Sequence, residues 1–194
     1  MLVTIRPAAP SEAEVLSGLA LAGKRHWGYP EPWLEAWRGL LTITPEYLAA
    51  HVVSCAVDET GRVIGFYALE RDGDRCRLEH LWLDPSLIGR GLGLQLFEHA
   101  VRAAGALGAA EMLIEAEPNA EGFYLHMGAE RVGETVSRLT GTERVLPQLR
   151  YPLPGVVEQD RARPRASTAT APHKALRSRQ HPIALTCIIL IFET

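Results

Sequence analysis

The chain has 194 residues, of which 47% are hydrophobic, and a formal net charge of −3 at pH 7. This length and apolar content fit one domain of ordinary size with a packed core, plus an appendage. The slightly acidic balance gives no case for binding nucleic acid or an anionic membrane, and Met1 leads directly into a predicted strand instead of a signal peptide.

Apolar periodicity and turn residues divide the first 90 residues into strands and helices. The predicted strands are Leu2 to Arg6, Val52 to Val57, Val63 to Glu70 and Arg75 to Leu83. The predicted helices are Ser11 to about Lys24, Pro32 to Leu41 and Pro45 to Ala50. Ser11-Glu12-Ala13-Glu14 is typical of a capping box, and Thr44 before Pro45 is typical of an N-cap.

Glycines at alternate positions follow the apolar strand that ends at Leu83, in the stretch Ile88-Gly89-Arg90-Gly91-Leu92-Gly93-Leu94. Backbone N–H groups of such a loop converge on one point, and the helix that follows directs its unpaired donors and positive dipole end there too. The spacing lacks the third glycine of a dinucleotide fingerprint and the lysine of a P-loop. The turn is therefore either a phosphate cradle of another kind or a glycine-rich connection without a ligand.

The second half of the chain continues the alternation. Apolar residues at helical spacing predict a core-facing helix from Gly91 to about Leu107. The predicted strands that follow are Glu111 to Ala116, Glu130 to Arg138 and Glu143 to Leu153. This order predicts an α/β fold with helices on both faces of a sheet.

The segment Asn119-Ala120-Glu121-Gly122-Phe123-Tyr124-Leu125-His126-Met127-Gly128-Ala129 lies 31 residues after the glycine loop, counted from Ile88 to Asn119. Together, these two motifs resemble the GNAT superfamily of acetyl-CoA-dependent N-acyltransferases, and the resemblance covers roughly Leu2 to Leu153. It implies a mixed, mostly antiparallel sheet of about six to seven strands, acetyl-CoA as acyl donor and no metal. The family usually has Gln or Arg where this chain has Ile88, but that position resembles one that acts mainly through its backbone N–H.

The resemblance also implies where the donor binds. Its diphosphate would meet the loop at Ile88, Gly89, Arg90, Gly91, Gly93 and Leu94. Its pantetheine arm would meet main-chain groups of Leu81 and Leu83, and Asn119. Asn119 also fits an N-cap of the helix that carries Tyr124, and the two roles are compatible.

An alkylammonium acceptor has a pKa of about 10.4 and must lose a proton before it attacks a thioester. Strand alternation predicts that Glu79 shares a face with Leu81 and Leu83, four residues before the strand ends at the loop. The superfamily often takes its base from this place, so Glu79 is the predicted general base. The alternative is a salt-bridged surface carboxylate. His80 is the second candidate, on the opposite face with Leu78 and Trp82.

Tyr124 matches the family position that protonates the departing CoA sulfur. A tyrosine, with an ordinary pKa of about 10, can give its proton to a thiolate and is neutral at rest. The alternative is an aromatic residue packed in the core. Tyr67, on the predicted third strand, either faces the cofactor or packs.

The residues that bind the acyl acceptor are assigned from the resemblance to the superfamily, in which the N-terminal helices and the segment between them line the acceptor pocket. The residues expected there are His26, Trp27, Tyr29 and Glu31, which suit a small cationic amine. Trp33 and Trp37 lie four residues apart and are predicted to form a core stripe of the second helix.

The chain divides into a GNAT domain over residues 1–153 and a basic tail over residues 154–194. The tail is Pro-, Ala- and Arg-rich and is predicted to be disordered, with a short apolar end that is either an extra strand, an exposed adhesive segment or a non-native extension. Three cysteines, Cys55, Cys76 and Cys187, are odd in number and lack metal-ligand spacing, which favours a reducing cytoplasm. Cys55 and Cys76 are predicted core residues.

The predicted function is therefore transfer of an acetyl group from acetyl-CoA to a primary amine, with no nucleic-acid or membrane partner. The alternative is a non-catalytic acyl-CoA-binding or interaction module on the same scaffold. The sequence leaves open the acceptor, which can be a small molecule or a protein, and the oligomeric state, a homodimer included.

Overall fold

The computed structural model describes residues 2–139 and 142–153, and the predicted tail lies outside them. Seven strands form one sheet in the order β1-β2-β3-β4-β5-β7-β6. Their bounds are β1 Thr4–Pro7, β2 Val52–Val57, β3 Val63–Asp72, β4 Arg75–Leu83, β5 Glu111–Glu115, β6 Glu130–Leu139 and β7 Thr142–Pro152. Neighbouring strands are antiparallel except β4 and β5, which are parallel. The predicted mixed, mostly antiparallel sheet is confirmed.

Five helices cover the two faces of the sheet. Their bounds are α1 Ala13–His26, α2 Glu31–Trp37, α3 Pro45–Ala50, α4 Leu92–Ala106 and α5 Glu121–His126. One face packs against α1, α2 and α3 in a core that contains Leu16, Leu34, Phe66 and Trp82, which we call the α1-side core. The other packs against α4 and α5 in a core that contains Leu78, Leu81, Phe97 and Tyr124, which we call the α4-side core. Helices therefore lie on both faces, as predicted.

Most predicted elements are confirmed, and β2 and β4 match residue for residue. The Thr44 cap is also confirmed, because Thr44 Oγ1 accepts from the Tyr47 N–H at 3.1 Å. The predicted second helix is wrong at its end, since α2 stops at Trp37 and residues 38–41 form a turn. Cys55 and Cys76 are buried and free, and burial raises the pKa of Cys55 to about 12.

The capping box predicted at Ser11 and Glu14 is wrong by two residues. A 3-10 turn over Pro10–Glu12 precedes α1, and the Glu12 carboxylate accepts from the Ala9 N–H at 2.7 Å. The Arg6 guanidinium also donates to Glu12, at 2.6 and 2.9 Å. Proline suits the first position of a helical turn, so the turn begins at Pro10 and Glu12 takes the role expected of Glu14.

A β-bulge interrupts the middle of β4. Ala68 of β3 pairs with His80, whereas the adjacent Leu69 pairs with Leu78. Glu79 is therefore an extra residue on β4. A bulge leaves the extra residue outside the ladder and re-aims nearby side chains.

β4 and β5 separate just beyond this bulge. Their parallel pairing runs from Arg75–Glu111 to Leu78–Ile114 and stops there. Farther along, β4 pairs only with β3 and β5 only with β7 among the described residues. We call the gap between residues 79–83 and residues 115–117 the β4–β5 opening. Main-chain polar groups that face it have no strand partner within the described part of the chain and are available to a ligand.

Across residues 2–139 and 142–153, no helix has the length and apolar character needed to cross a bilayer.

Candidate active site

The glycine loop directly follows the separated end of β4. The Asp84 side chain accepts from the Ser86 N–H at 3.0 Å and closes a short turn over Pro85–Leu87. Gly89 and Gly91 then adopt φ angles of 73° and 75°, which L-residues with a side chain rarely adopt. Gly91 is the N-cap of α4. Two loop positions therefore have a backbone conformation that favours glycine.

The loop presents backbone donors at the start of a 15-residue helix. Gln95 donates to Gly91 at 3.2 Å, so the N–H groups of Leu92, Gly93 and Leu94 precede the helical ladder. Gly89, Arg90 and Leu94 are exposed, Ile88 is half-buried, and Gly93 is buried in α4. Exposed donors at a positive helix end are suited to a diphosphate.

Glu79 and His80 lie on the same face of the sheet. Leu78 and Leu81 both belong to the α4-side core although they are three residues apart, so the two residues between them face the α1 side. Glu79 Oε1 is 3.3 Å from Arg77 Nε, and the Glu79 side chain is 12% exposed. The prediction that strand alternation separates Glu79 from His80 is wrong, because the bulge places consecutive side chains on one face.

His80 is buried in a form that does not suit a base. Its Nδ1 accepts from the Trp82 indole N–H at 2.8 Å, which places the proton of the neutral ring on Nε2. Burial, together with the charges of His51 and Lys24, lowers the pKa of His80 to about 3. A general base works best with a pKa near the working pH. His80 is therefore a poor candidate. Glu79 is the other one, and it has the ion pair with Arg77 that the alternative interpretation expects.

Four polar side chains meet on the α1 side of the opening: Lys24, Tyr29, Glu117 and Arg144. We call them the Glu117 network. Lys24 Nζ lies 2.7 Å from Glu117 Oε2, and Arg144 Nη2 lies 2.5 Å from Glu117 Oε1. The Tyr29 hydroxyl donates to Glu117 and accepts from Arg144 at 2.9 Å. Burial alone would raise the pKa of Glu117, but the Lys24 and Arg144 charges hold it below its ordinary value.

Aromatic rings enclose the two cations of this network. Lys24 Nζ is 4.5 Å from the Trp37 ring centre, and Arg144 Cζ is 4.9 Å from the rings of both Trp37 and Tyr29. Cations over aromatic faces contribute about 0.5–2 kcal/mol each. Trp37 thus packs in the core, as predicted, and also contacts the network.

Of the four residues expected on the acceptor side, the structure brings only Tyr29 into the Glu117 network. Trp27 is half-buried, and its indole nitrogen has no hydrogen-bond partner among the described residues. His26 is exposed, and Glu31 forms a surface ion pair with Arg25 at 3.2 Å.

Sequence reasoning missed Lys24, Glu117 and Arg144. Lys24 had a local signal, because it lies four and eight residues after the buried Ala20 and Leu16 of α1. A charge on an apolar stripe indicates a buried partner. Glu117 and Arg144 have no comparable signal. Glu115 was also missed: it extends toward the same face, and burial raises its pKa.

Tyr124 and Asn119 lie beyond β5. Tyr124 is fully buried in the α4-side core, with its ring centre 5.7 Å from that of Phe97, so it lies on the face of the sheet opposite Glu79. The N-cap of α5 is Ala120, so the capping role considered for Asn119 is wrong. The Asn119 side chain is exposed. Tyr67 packs under α4, where its hydroxyl lies 2.8 Å from His99 Nδ1.

Comparison with known proteins identifies the scaffold. The sequence model of the acetyltransferase (GNAT) family matches residues 20–129. Similar solved structures include the GCN5-related N-acetyltransferase from Rhodopseudomonas palustris, with 23% identity and a TM-score of 0.65 over 79% of this chain and 99% of that one. The PaiA N-acetyltransferase from Thermoplasma acidophilum in complex with coenzyme A has 20% identity and a TM-score of 0.60, over 78% and 99%. Among curated protein sequences, none matches significantly.

Proposed function

The chain belongs to the acetyltransferase (GNAT) family, and we propose that it transfers the acetyl group of acetyl-CoA to a primary amine by direct attack in a ternary complex. The observation that carries this proposal is the position of the glycine loop. Two positive-φ glycines open α4 directly after the separated end of β4. A diphosphate held there would leave the thioester within reach of the β4–β5 opening.

The donor is held mainly by backbone groups. The loop residues proposed for the diphosphate are Ile88, Gly89, Arg90, Gly91, Gly93 and Leu94. Main-chain groups of Leu81 and Leu83, which face the opening, bind the pantetheine amides, and the exposed Asn119 side chain contacts the same arm. Holding the thioester in this way supplies the proximity that makes attack effectively intramolecular.

The reaction takes place across the opening. Glu79 removes a proton from the acceptor ammonium on the α1 side, and the amine nitrogen then bonds to the thioester carbonyl carbon. The tetrahedral intermediate collapses with loss of the carbon–sulfur bond, and Tyr124 gives its proton to the departing sulfur from the α4 side. The nitrogen loses its second proton, which replaces the proton that Tyr124 gave up, and the products are an N-acetylated amine, free coenzyme A and one proton.

The acceptor amine is proposed to lie near Tyr29 and Trp27, on the α1 side of the sheet. These aromatic side chains and the carboxylates at the opening favour a small cationic amine. His26 and Glu31 lie at the surface and would contact only the outer part of an acceptor.

A thiol-release assay with acetyl-CoA and an amine panel tests the proposal. We expect amine-dependent release, and a loss of about 10²–10⁴-fold in kcat for Tyr124→Phe. Tyr151→Phe is the matched control, because Tyr151 also packs its ring on Phe97, at 5.3 Å. Tight coenzyme A binding with no turnover of any amine would instead indicate a non-catalytic acyl-CoA-binding module.

A further inference from the structure

Lysine is scarce in this chain, and one lysine lies inside the candidate site. Only Lys24 and Lys174 are lysines among the 20 Lys and Arg residues, and Lys174 lies outside the described residues. Lys24 is 2% exposed, on the buried stripe of α1. The described part of the chain therefore presents one lysine amine, and that amine is buried.

Distances place this amine between the two separated strands. Lys24 Nζ is 2.7 Å from Glu117, two residues beyond the end of β5, and 6.0 Å from the ring of Trp82, on the separated end of β4. The Lys24 amine therefore lies near residues of both separated strands, on the α1 side from which the acceptor amine of the proposed reaction approaches.

We propose that Lys24 is a self-acetylation site, with acetyl-CoA as the donor. This inference rests on the proposed function. Glu117 takes one proton from the Lys24 ammonium, and Nζ bonds to the thioester carbonyl carbon and loses a second proton, which replaces the one that Tyr124 gives up. The carbon–sulfur bond breaks, and the sulfur leaves as the thiol of coenzyme A with a proton from Tyr124. The overall products are Nε-acetyl-Lys24, free coenzyme A and one proton.

The modification changes the charge of the Glu117 network. Acetylation converts the Lys24 ammonium into a neutral amide, so its ion pair with Glu117 is lost while the Arg144 and Tyr29 contacts continue. A buried carboxylate that loses a cationic partner destabilises the fold. The acetylated protein should therefore unfold at a lower temperature than the unmodified one.

Mass spectrometry of the full chain tests this inference directly. The protein is incubated with acetyl-CoA that carries a deuterated acetyl group, without any acceptor, and the labelled residue is located by peptide mapping. We expect one labelled acetyl group on Lys24. It should form at least about tenfold faster in the native protein than in urea, because the folded site brings amine and thioester together. The Lys174→Arg variant, a matched control, should be labelled like the wild type.

Lys24→Arg, which retains the positive charge beside Glu117, should lose this label completely. If Lys24→Arg fails to fold, peptide mapping of the wild-type protein still shows whether Lys24 is acetylated. Absence of label on Lys24, with coenzyme A bound in calorimetry and amines turned over, would overturn self-acetylation and leave the proposed function intact. Label on Lys174 or the N-terminus alone would mean that acetyl-CoA reacts with these amines without catalysis, and it would also overturn self-acetylation of Lys24. Absence of coenzyme A binding would overturn both proposals.

Discussion

Glu79 and His80 are consecutive residues on one face of the sheet, but their surroundings suit them to different roles. His80 is fully buried, and its Nδ1 is occupied by the Trp82 indole N–H. Glu79 lies beside the β4–β5 opening and contacts Arg77. A neutral, buried imidazole can pack and hydrogen-bond, whereas a carboxylate at the edge of the opening can accept a proton from an approaching amine.

Replacement of Glu79 tests the proposed base. Glu79→Gln should lower kcat by about 10²–10⁴-fold, because it removes a general base without removing bulk. Its affinity for coenzyme A should not change. Glu70→Gln is the matched control, since Glu70 also contacts Arg77, at 3.8 Å, and is more exposed than Glu79. Steady-state kinetics with calorimetry measure both effects, and equal activity of the two variants would contradict the assignment.

His80 should give the fold a specific sensitivity to acid. Its pKa is about 3 in the folded protein and near 6.5 when the chain is unfolded. Below pH 6.5 the unfolded chain therefore binds the extra proton, so this contribution to stability declines from about pH 6.5 to 3. In His80→Gln, the free energy of unfolding should fall less between pH 7 and 4 than in the wild type.

Urea denaturation at each pH measures this difference. His126→Gln, at an exposed histidine, is the control. An identical loss of stability in wild type and His80→Gln would show that His80 does not titrate in this way.

Single-residue roles were predictable only where the signal is local. The glycine turn that opens α4 follows from the spacing of its glycines, and the role of Tyr124 in its motif stays a prediction. The Glu117 network was not predictable, because Lys24 and Glu117 are 93 residues apart and Arg144 lies another 27 residues along the chain. Such contacts depend on how the helices and strands pack, which no local pattern encodes.

Among the elements, β4 and the loop after it differ in how much of their structure could be predicted from the sequence. Both ends of β4 were predicted correctly, yet the bulge at Glu79 was not, because nothing in Arg77-Leu78-Glu79-His80 departs from an ordinary strand. The loop was predictable because glycines at alternate positions stand between an apolar strand and an amphipathic helix. The bulge nevertheless decides which side chains face the opening.

Gly91 tests whether this loop conformation binds the donor. Gly91→Ala places a Cβ at a φ of 75°, which costs about 1–2 kcal/mol. We expect coenzyme A affinity to fall by about tenfold, or ~1.4 kcal/mol. Gly73→Ala is the matched control, because Gly73 has a φ of 65° and equally open surroundings, in the turn between β3 and β4.

Calorimetry with coenzyme A and thermal unfolding of both variants separate binding from stability. Both should unfold earlier, but only Gly91→Ala should bind more weakly. Unchanged affinity in Gly91→Ala would contradict a role for the loop backbone.

On the scale of the whole molecule, the sheet divides the proposed chemistry between its two faces. The helices of the α1-side core carry Lys24 and border the proposed acceptor side, and the α4-side core contains Tyr124 and the buried face of α4. Among the described residues, β4 and β5 separate between these two faces. The fold class and the order of elements were predictable from periodicity, but this division was not, since it depends on where one parallel strand pair stops.

A chain that ends at Leu153 tests the predicted domain boundary. In the described part of the chain, the seven strands and both cores lie within residues 4–153. We therefore expect the shortened protein to unfold at the same temperature and to show the same turnover with acetyl-CoA as the full chain. Differential scanning calorimetry and the thiol-release assay measure these properties. A lower unfolding temperature or weaker activity would show that residues 154–194 contribute.

The most direct test of the proposed donor site and mechanism is a crystal structure of the protein with coenzyme A. We expect the diphosphate within hydrogen-bond distance of the N–H groups from Gly89 to Leu94, the pantetheine arm along Leu81 and Leu83, and the sulfur at the β4–β5 opening between Glu79 and Tyr124. A diphosphate bound elsewhere, or a sulfur distant from that opening, would contradict the proposed mechanism.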